Sequence, residues 1–205
     1  DIECSFYNEE DIMHLSESLM QKIFTELIDK DVTLKFPKIS YKESMERYGC
    51  DKPDLRNPLH LVNISGYLVN TDFKVFKDCV NNSDKRIVAL NIPGGSKLTR
   101  KNIDDYTDLV KTFGAKGLAY FKVDDSNNTD TGISSPIKKF LSSEEIDAII
   151  KSVKPSSGDL IFFSADTADI VNSSMSALIS KIGSDLNLLK NSFEFVWIID
   201  YPMFE

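Results

Sequence analysis

The sequence predicts an α+β fold, and three observations support this prediction. A helical repeat of apolar residues covers positions 9–28, and short strand-forming and helix-forming segments alternate from about Leu61. The run "FEFVWII" (193–199) is rich in aromatic and β-branched residues, which are typical of strands. The 205 residues are 41% hydrophobic and 27% charged, which is enough apolar material for a buried core.

The first predicted element is an amphipathic helix over residues 9–28, with Asn8 as its N-cap. Its apolar stripe consists of Ile12, Leu15, Leu19, Ile23 and Leu27. An extended segment, "TLKF" (33–36), is expected to follow and to end at Pro37.

A short helix should come next, because Ser40 and Glu43 have the spacing of a capping box. Gly49 can end that helix in the left-handed conformation. The polar stretch "YGCDKPDLR" (48–56), here called the connector segment, is predicted to be irregular chain, since Gly49 and Pro53 both oppose helix.

Beyond Leu61 we predict alternating strands and helices. The predicted strands are "FKVF" (73–76), "RIVALNI" (86–92), "GLAYFKV" (117–123) and "DLIFFSA" (159–165). The predicted helices run from Thr99 to Phe113, from the Ser142/Glu145 capping box to near Pro155, and from about Thr167 to Ile182 with Gly183 as cap. The run 193–205 would be an exposed edge strand by itself, so we expect it to join a sheet.

Composition excludes several classes of protein. A net charge of −8 argues against binding to nucleic acid or membrane driven by overall charge. Three cysteines without a CxxC pair argue against a disulfide framework or a zinc site, and indicate a reducing compartment. No apolar run reaches the roughly 18 residues of a membrane span. Because the chain starts at Asp1 without methionine, we expect a fragment of a longer protein.

Basic residues follow a glycine turn in "PGGSKLT" (93–99), and such a turn before a helix can bind an anion. The P-loop pattern is not met, so a turn that needs glycine dihedrals is the favoured interpretation. Lys97, Arg100 and Lys101 are candidate phosphate contacts, as are Lys138 and Lys139. Solvated helix faces are the favoured interpretation of both clusters.

Other titratable residues offer little chemistry. His14 and His60 lack metal-ligating neighbours, and the cysteines lack a catalytic partner at a known spacing. Asp1 and Glu3 alternate as on a strand, which would direct both carboxylates to one face. That pair could hold a cation or a substrate ammonium, or it could be a solvated strand end.

Several long motifs resemble bacterial-type aspartyl-tRNA synthetases, which are class II enzymes. "DIECSF" (1–6) resembles the end of motif 2, and "PKISYKESMERYGCDKPDLRNP" (37–58) resembles the segment after it. "IPGGSKLTRKNIDDY" (92–106), "GAKGLAYFKV" (114–123) and "SPIKKFL" (135–141) resemble the GAD insertion domain, and "WIIDYPMFE" (197–205) resembles the catalytic strand that follows it. Cys50 replaces a usual serine, and Tyr201 stands where phenylalanine is common.

The resemblance implies an activity for the parent protein. Such an enzyme condenses aspartate with ATP, with the help of Mg²⁺, and transfers the aspartyl group to its tRNA. The relatives are cytoplasmic homodimers without membrane association, and the resemblance leaves open whether asparagine tRNA is also charged. The arginines that clamp ATP in the family lie outside residues 1–205, so we expect this chain alone not to aminoacylate.

The resemblance also implies an organisation and site residues. Residues 1–60 and 191–205 correspond to an antiparallel-sheet catalytic domain, and residues 61–190 to a mixed α/β GAD insertion domain. Asp1 matches an aspartate beside the substrate ammonium, Glu3 points the same way, and Asp200 is near the site by topology only. Lys97, Arg100 and Lys101 become candidate tRNA contacts, with no metal ligand assigned. The alternative is a noncatalytic GAD module of a tRNA-dependent amidotransferase subunit, and a domain unrelated to tRNA is the third possibility.

Overall fold

The computed structural model describes residues 2–28 and 36–204. The helices are α1 (Glu9–Ile23), α2 (Tyr41–Tyr48), α3 (Lys74–Val80), α4 (Arg100–Lys111), α5 (Ser143–Val153) and α6 (Ala168–Asp185). The strands are β1 (Lys38–Ser40), β2 (Leu61–Asn63), β3 (Lys85–Ile92), β4 (Ala119–Val123), β5 (Ile133–Ser134), β6 (Leu160–Thr167) and β7 (Trp197–Ile199). Helices pack around an antiparallel five-stranded sheet, so the α+β prediction is confirmed.

A five-stranded antiparallel sheet in the order β2-β3-β6-β4-β5 forms the larger part of the chain. Strands β3 and β6 lie at its centre and pair over eight residues, from Lys85↔Thr167 to Ile92↔Leu160. Helices α4 and α6 cover one face of the sheet, and α3 and α5 cover the other. Because both faces are covered, the central strands have nearly continuous apolar sequences instead of alternating ones.

A second, two-stranded sheet joins distant parts of the chain. Strands β1 and β7 pair in parallel, with Lys38 opposite Trp197 and Ser40 opposite Ile199. Helix α1 packs on this pair, because the Glu17 carboxylate accepts hydrogen bonds from the Trp197 indole at 2.9 Å and from the Phe36 amide at 3.3 Å. The predicted terminal strand therefore does join a sheet, but only its three central residues pair.

Helix starts follow the predicted capping residues. Asn8, Thr99 and Ser142 each cap a helix through a complete capping box. Ser40 caps α2, but the Glu43 carboxylate pairs with Arg47 at 2.8 Å, so this box is only half formed. The first helix is confirmed with one change, since α-helix ends at Ile23 and a π-helical turn continues to residue 28.

Two predictions were wrong, and a third lies mostly outside the described residues. "FKVF" (73–76) begins a helix, because Phe76 and Cys79 face the sheet at helical spacing, which four residues could not reveal. Gly183 lies inside α6, where an added Cβ would clash with the Asn57 amide. Within "TLKF", residues 33–35 lie outside the described part, and Phe36 precedes the strand, which starts after Pro37.

Candidate functional site

The predicted ammonium-binding pair is only partly described. Asp1 lies outside the described residues, so its position relative to Glu3 is not part of the structure. Glu3 is exposed and belongs to irregular chain, so the expected strand is wrong for the described residues 2–7. Asp200 follows β7 at a positive φ of 56° and is exposed. The Asp1 and Glu3 assignments remain predictions.

The glycine turn before α4 is held by a carboxylate of the protein itself. Asp159, which is 5% exposed, accepts hydrogen bonds from the Gly94 amide at 2.8 Å, the Ser156 amide at 2.9 Å and the Asn91 side chain at 2.9 Å. Gly94 has a φ of +66°, as the turn interpretation requires. Because the Gly94 amide already donates its hydrogen bond to the Asp159 carboxylate, this amide is not available to bind a phosphate.

Three cations surround the first turn of α4. Lys97 ends a short 3-10 turn, and Arg100 and Lys101 are the first two residues of the helix. All three side chains are exposed, and no described residue forms an ion pair with them. Cations at a helix N-terminus oppose the helix dipole, whereas α1 and α5 carry acidic residues there. The positive charges of these three side chains therefore add to the positive end of the α4 helix dipole.

Lys138 has a structural role that neither sequence interpretation anticipated. Its ammonium donates to the carbonyls of Thr129, Asp130 and Ile133, and so closes the polar loop before β5. Lys139 is exposed and lies over the Phe140 ring at 5.0 Å. Lys138 is thus removed from the candidate phosphate contacts.

The connector segment contacts helix α6 and the chain just after β7. Gly49 ends α2 with a φ of +67°, and a Cβ there would overlap the backbone of Asn172 in α6. Asp51 accepts a hydrogen bond from the Tyr201 hydroxyl at 2.7 Å, just after β7. That bond raises the pKa of Tyr201 to about 12. Tyr201 thus binds the connector segment directly.

Arg86 on β3 provides the second junction. Its guanidinium donates to the Met45 and Glu46 carbonyls at the end of α2, at 3.1 and 2.8 Å, and to the Asn172 side chain at 2.8 Å. Burial lowers the pKa of Arg86, and Glu46 partly opposes that effect. Asn57 adds a third contact, because its amide donates to the Ile179 carbonyl at 2.9 Å. Sequence patterns gave no signal for Arg86 or Asn57, since their partners are far away along the chain.

No described group of three or more His, Cys, Asp or Glu residues is arranged to hold a metal ion. Within the described ranges, no helix has the length and apolar character needed to cross a membrane. The cysteines in these ranges are free, and burial raises the pKa of the Cys79 thiol. The described residues therefore offer contacts between structural parts and one cationic surface.

Comparison with known proteins agrees with this architecture. Residues 76–175 match the GAD domain family. The full chain is 47% identical over 205 residues to an aspartate–tRNA(Asp/Asn) ligase of Legionella pneumophila strain Corby, and 48% identical to that of strain Paris. The ligase of strain Philadelphia 1 is 47% identical. In each case the match covers 100% of this chain and 35% of the relative. Residues 76–175 are therefore similar to the GAD domain family, and the whole chain is similar to aspartate–tRNA ligases, of whose length it spans about a third.

Proposed function

We propose that the chain is a segment of a longer aspartate–tRNA ligase, in which residues 61–190 form an insertion beside the catalytic fold. The observation that carries this proposal is the pairing of β1 with β7. The chain leaves this small sheet, builds a separate five-stranded sheet and then returns to it. Residues 1–60 and 191–205 are then parts of the catalytic domain.

Exposed apolar residues support the assignment of the flanking parts. Many large hydrophobic side chains outside the insertion are more than a third exposed: Ile2, Phe6, Tyr7, Ile12, Leu15, Leu19, Leu27, Ile28, Phe193, Tyr201, Met203 and Phe204. Exposed apolar surface of this kind marks contacts with other protein parts. The rest of a class II catalytic domain would cover it.

The reaction proposed for the longer protein is activation of aspartate with ATP, followed by transfer to tRNA in the cytoplasm by a homodimer. The described residues contain no cluster of metal ligands, so no magnesium-dependent step is assigned to them. Identity that extends through both flanking parts favours the ligase over an amidotransferase subunit. The test is charging of tRNA with labelled aspartate by the longer protein, and absence of charging would refute the proposal.

We also propose that Asp1, with Glu3 nearby, faces the ammonium group of aspartate in the longer protein. A carboxylate there would provide the counter-charge that a desolvated ammonium needs. Asp1→Asn in the longer protein should raise the KM for aspartate and leave the KM for ATP unchanged. An unchanged KM for aspartate would remove Asp1 from the site.

We further propose that Lys97, Arg100 and Lys101 contact tRNA phosphates. Support comes from their shared exposure at the N-terminus of α4. Replacing all three by glutamate in the longer protein should weaken tRNA binding and reduce the slope of log K against log salt by about 0.7–0.9 per lost contact.

The matched control is charge reversal at Lys151, an exposed lysine on α5 away from the cluster. It should leave both the affinity and the salt slope unchanged. If the triple variant and the control gave the same slope as the parent, the cluster would be an ordinary solvated surface.

A further inference from the structure

A cavity of about 430 Å³ lies at the start of β4, between α3 and the sheet. It exists because Gly117, Ala119 and Ala165 present little or no side chain on neighbouring stretches of chain. The pairing of β4 with β6 ends at Ala119↔Phe163, so the chain before β4 separates from β6 at this point. The size is within the range of small-molecule sites.

Ala165 has main-chain groups directed at this gap. Its neighbour Ile87 on β3 directs its own amide to the Ser65 hydroxyl at 2.9 Å, and its carbonyl accepts from the Ile64 amide. Ile87↔Ala165 is therefore a non-hydrogen-bonded pair, and the N–H and C=O of Ala165 point away from β3. No described residue hydrogen-bonds to them. Partly buried main-chain groups without partners are rare in folded proteins.

The cavity walls are aromatic and aliphatic. Phe76 and Phe163 are 2% and 1% exposed, and Phe73 packs edge-to-face on Phe76 at 4.8 Å. Leu118 and Ile137 complete the apolar lining. A flat, weakly polar molecule would gain most from such walls.

The rim is charge-balanced. Asp78, Lys85, Lys116 and Asp166 surround it, and the Lys116 ammonium lies 3.8 Å from the Asp166 carboxylate. Two charges of each sign give no net attraction for an anion or a cation. The rim therefore favours an uncharged ligand body.

We propose that this cavity binds an uncharged nucleobase, as a nucleoside or as an unpaired base of an RNA. A nucleobase presents a ring N–H or amino donor next to an acceptor on one edge, which matches the C=O and N–H of Ala165. Its flat faces match the apolar walls. A purely apolar ligand would leave the Ala165 groups without partners, at a cost in binding free energy.

An extended peptide fits the gap less well. Strand addition needs a row of unpaired main-chain groups along an edge. Here the next amide on the same side, that of Thr167, already bonds to the Asp166 carboxylate at 2.9 Å. Only one residue of β6 is therefore available to a partner strand.

The test is titration of the ¹⁵N-labelled chain with uridine, followed by NMR. The Ala165 and Leu118 amides should shift saturably. N3-methyluridine, which lacks the ring donor, should bind about tenfold more weakly, the expected effect of one lost hydrogen bond. A short oligouridine that binds more tightly than uridine would identify RNA as the source, and equal affinity would identify the free nucleoside.

Two variants locate the site. Ala119→Phe fills the cavity and should abolish binding, whereas Val69→Phe, at an exposed side chain outside it, should not. Ala165→Pro removes the unpaired N–H, although its ring also fixes φ at about −65°, and it should weaken binding about tenfold. Circular dichroism checks that each variant is folded.

Three results would overturn the inference. The first is no amide shift with uridine or oligouridine up to about 10 mM, where even a weak site would be partly occupied. The second is binding that survives in folded Ala119→Phe, or binding that is not weakened in folded Ala165→Pro. The third is saturable binding of a short Val-Thr repeat peptide at these amides in place of the nucleoside.

Discussion

Gly49 shows how one backbone conformation fixes the connector segment. Its φ of +67° is strained for any side chain, and an added Cβ would overlap the Asn172 backbone. We expect Gly49→Ala to lower the free energy of unfolding by about 1–3 kcal/mol. Urea denaturation measures the change.

The control for that substitution is Gly66→Ala, because a Cβ at Gly66 would meet nothing within 4 Å. Its effect should stay within about 0.5 kcal/mol. Equal effects of the two substitutions would mean that the contact of Gly49 with α6 does not stabilise the fold.

Ionisation of the Tyr106 phenol should make the free energy of unfolding depend on pH in the alkaline range. Burial, followed by its hydrogen bond to Asp185 at 3.1 Å, raises its pKa from 10.0 to about 12. The folded state therefore favours the neutral phenol, so its contribution is complete below about pH 10 and is lost as the pH rises to about 12. Tyr106→Phe should reduce the fall in unfolding free energy across this window.

Tyr67→Phe provides the comparison, since Tyr67 is half exposed and has no described hydrogen bond through its hydroxyl. Its unfolding free energy should follow the parent curve between about pH 9 and 12. A Tyr106→Phe curve that fell as steeply as the parent would assign the alkaline loss to other groups.

Helix α4 carries cations where its dipole favours anions, and this placement has a cost in stability. Arg100→Glu should raise the free energy of unfolding by about 0.3–1 kcal/mol through the dipole. The same change should weaken tRNA binding by the longer protein. Thermal denaturation should show the gain in stability, and a binding titration on the same preparation should show the loss of affinity for tRNA. A variant that gained stability without losing affinity would argue against a tRNA role for Arg100.

Helix α1 contacts the small sheet through the Glu10 carboxylate, which pairs with Lys38, and through the Glu17 carboxylate. Glu17→Ala removes both hydrogen bonds to Trp197 and Phe36, so the unfolding free energy should fall by about 1–2 kcal/mol. Trp197 is the only tryptophan in the chain, so its fluorescence should shift to longer wavelength as water reaches the ring. Glu26→Ala, further along the same segment, should leave the emission unchanged.

Local signals explain which elements could be predicted. Capping residues such as Asn8, Thr99 and Ser142 act within three residues of themselves, so the helix starts were found correctly. The buried central strands were evident from continuous apolar runs. The segment 73–76 failed because four residues cannot distinguish a period of two from one of 3.6.

The contacts that position the candidate sites could not be predicted from local patterns. Asp159 meets Gly94 across 65 residues, and Asn57 meets Ile179 across 122. Arg86 likewise reaches α2 from the five-stranded sheet. These are tertiary contacts of single polar side chains, which the periodicity of the sequence does not predict. The cationic cluster was evident from the sequence alone, and motif resemblance indicated similarity to aspartate–tRNA ligases.

On the scale of the whole molecule, the chain enters and leaves the five-stranded part at one place. The Lys190 amide donates to the Arg56 carbonyl at 3.0 Å, so the two connections run side by side. An insertion with adjacent ends can be removed without stretching the fold that carries it. Because the ends of the insertion are adjacent, deleting it tests the proposed catalytic and accessory roles separately.

The most direct test replaces residues 61–190 in the longer protein by a short Gly-Ser linker and measures aspartate-dependent ATP–pyrophosphate exchange. If these residues are an accessory insertion, exchange should stay within about tenfold of the parent, which is about 1.4 kcal/mol of activation free energy. Transfer of aspartate to tRNA should fall by more than that. A folded variant that loses exchange altogether would contradict the account, because the inserted residues would then belong to the catalytic site.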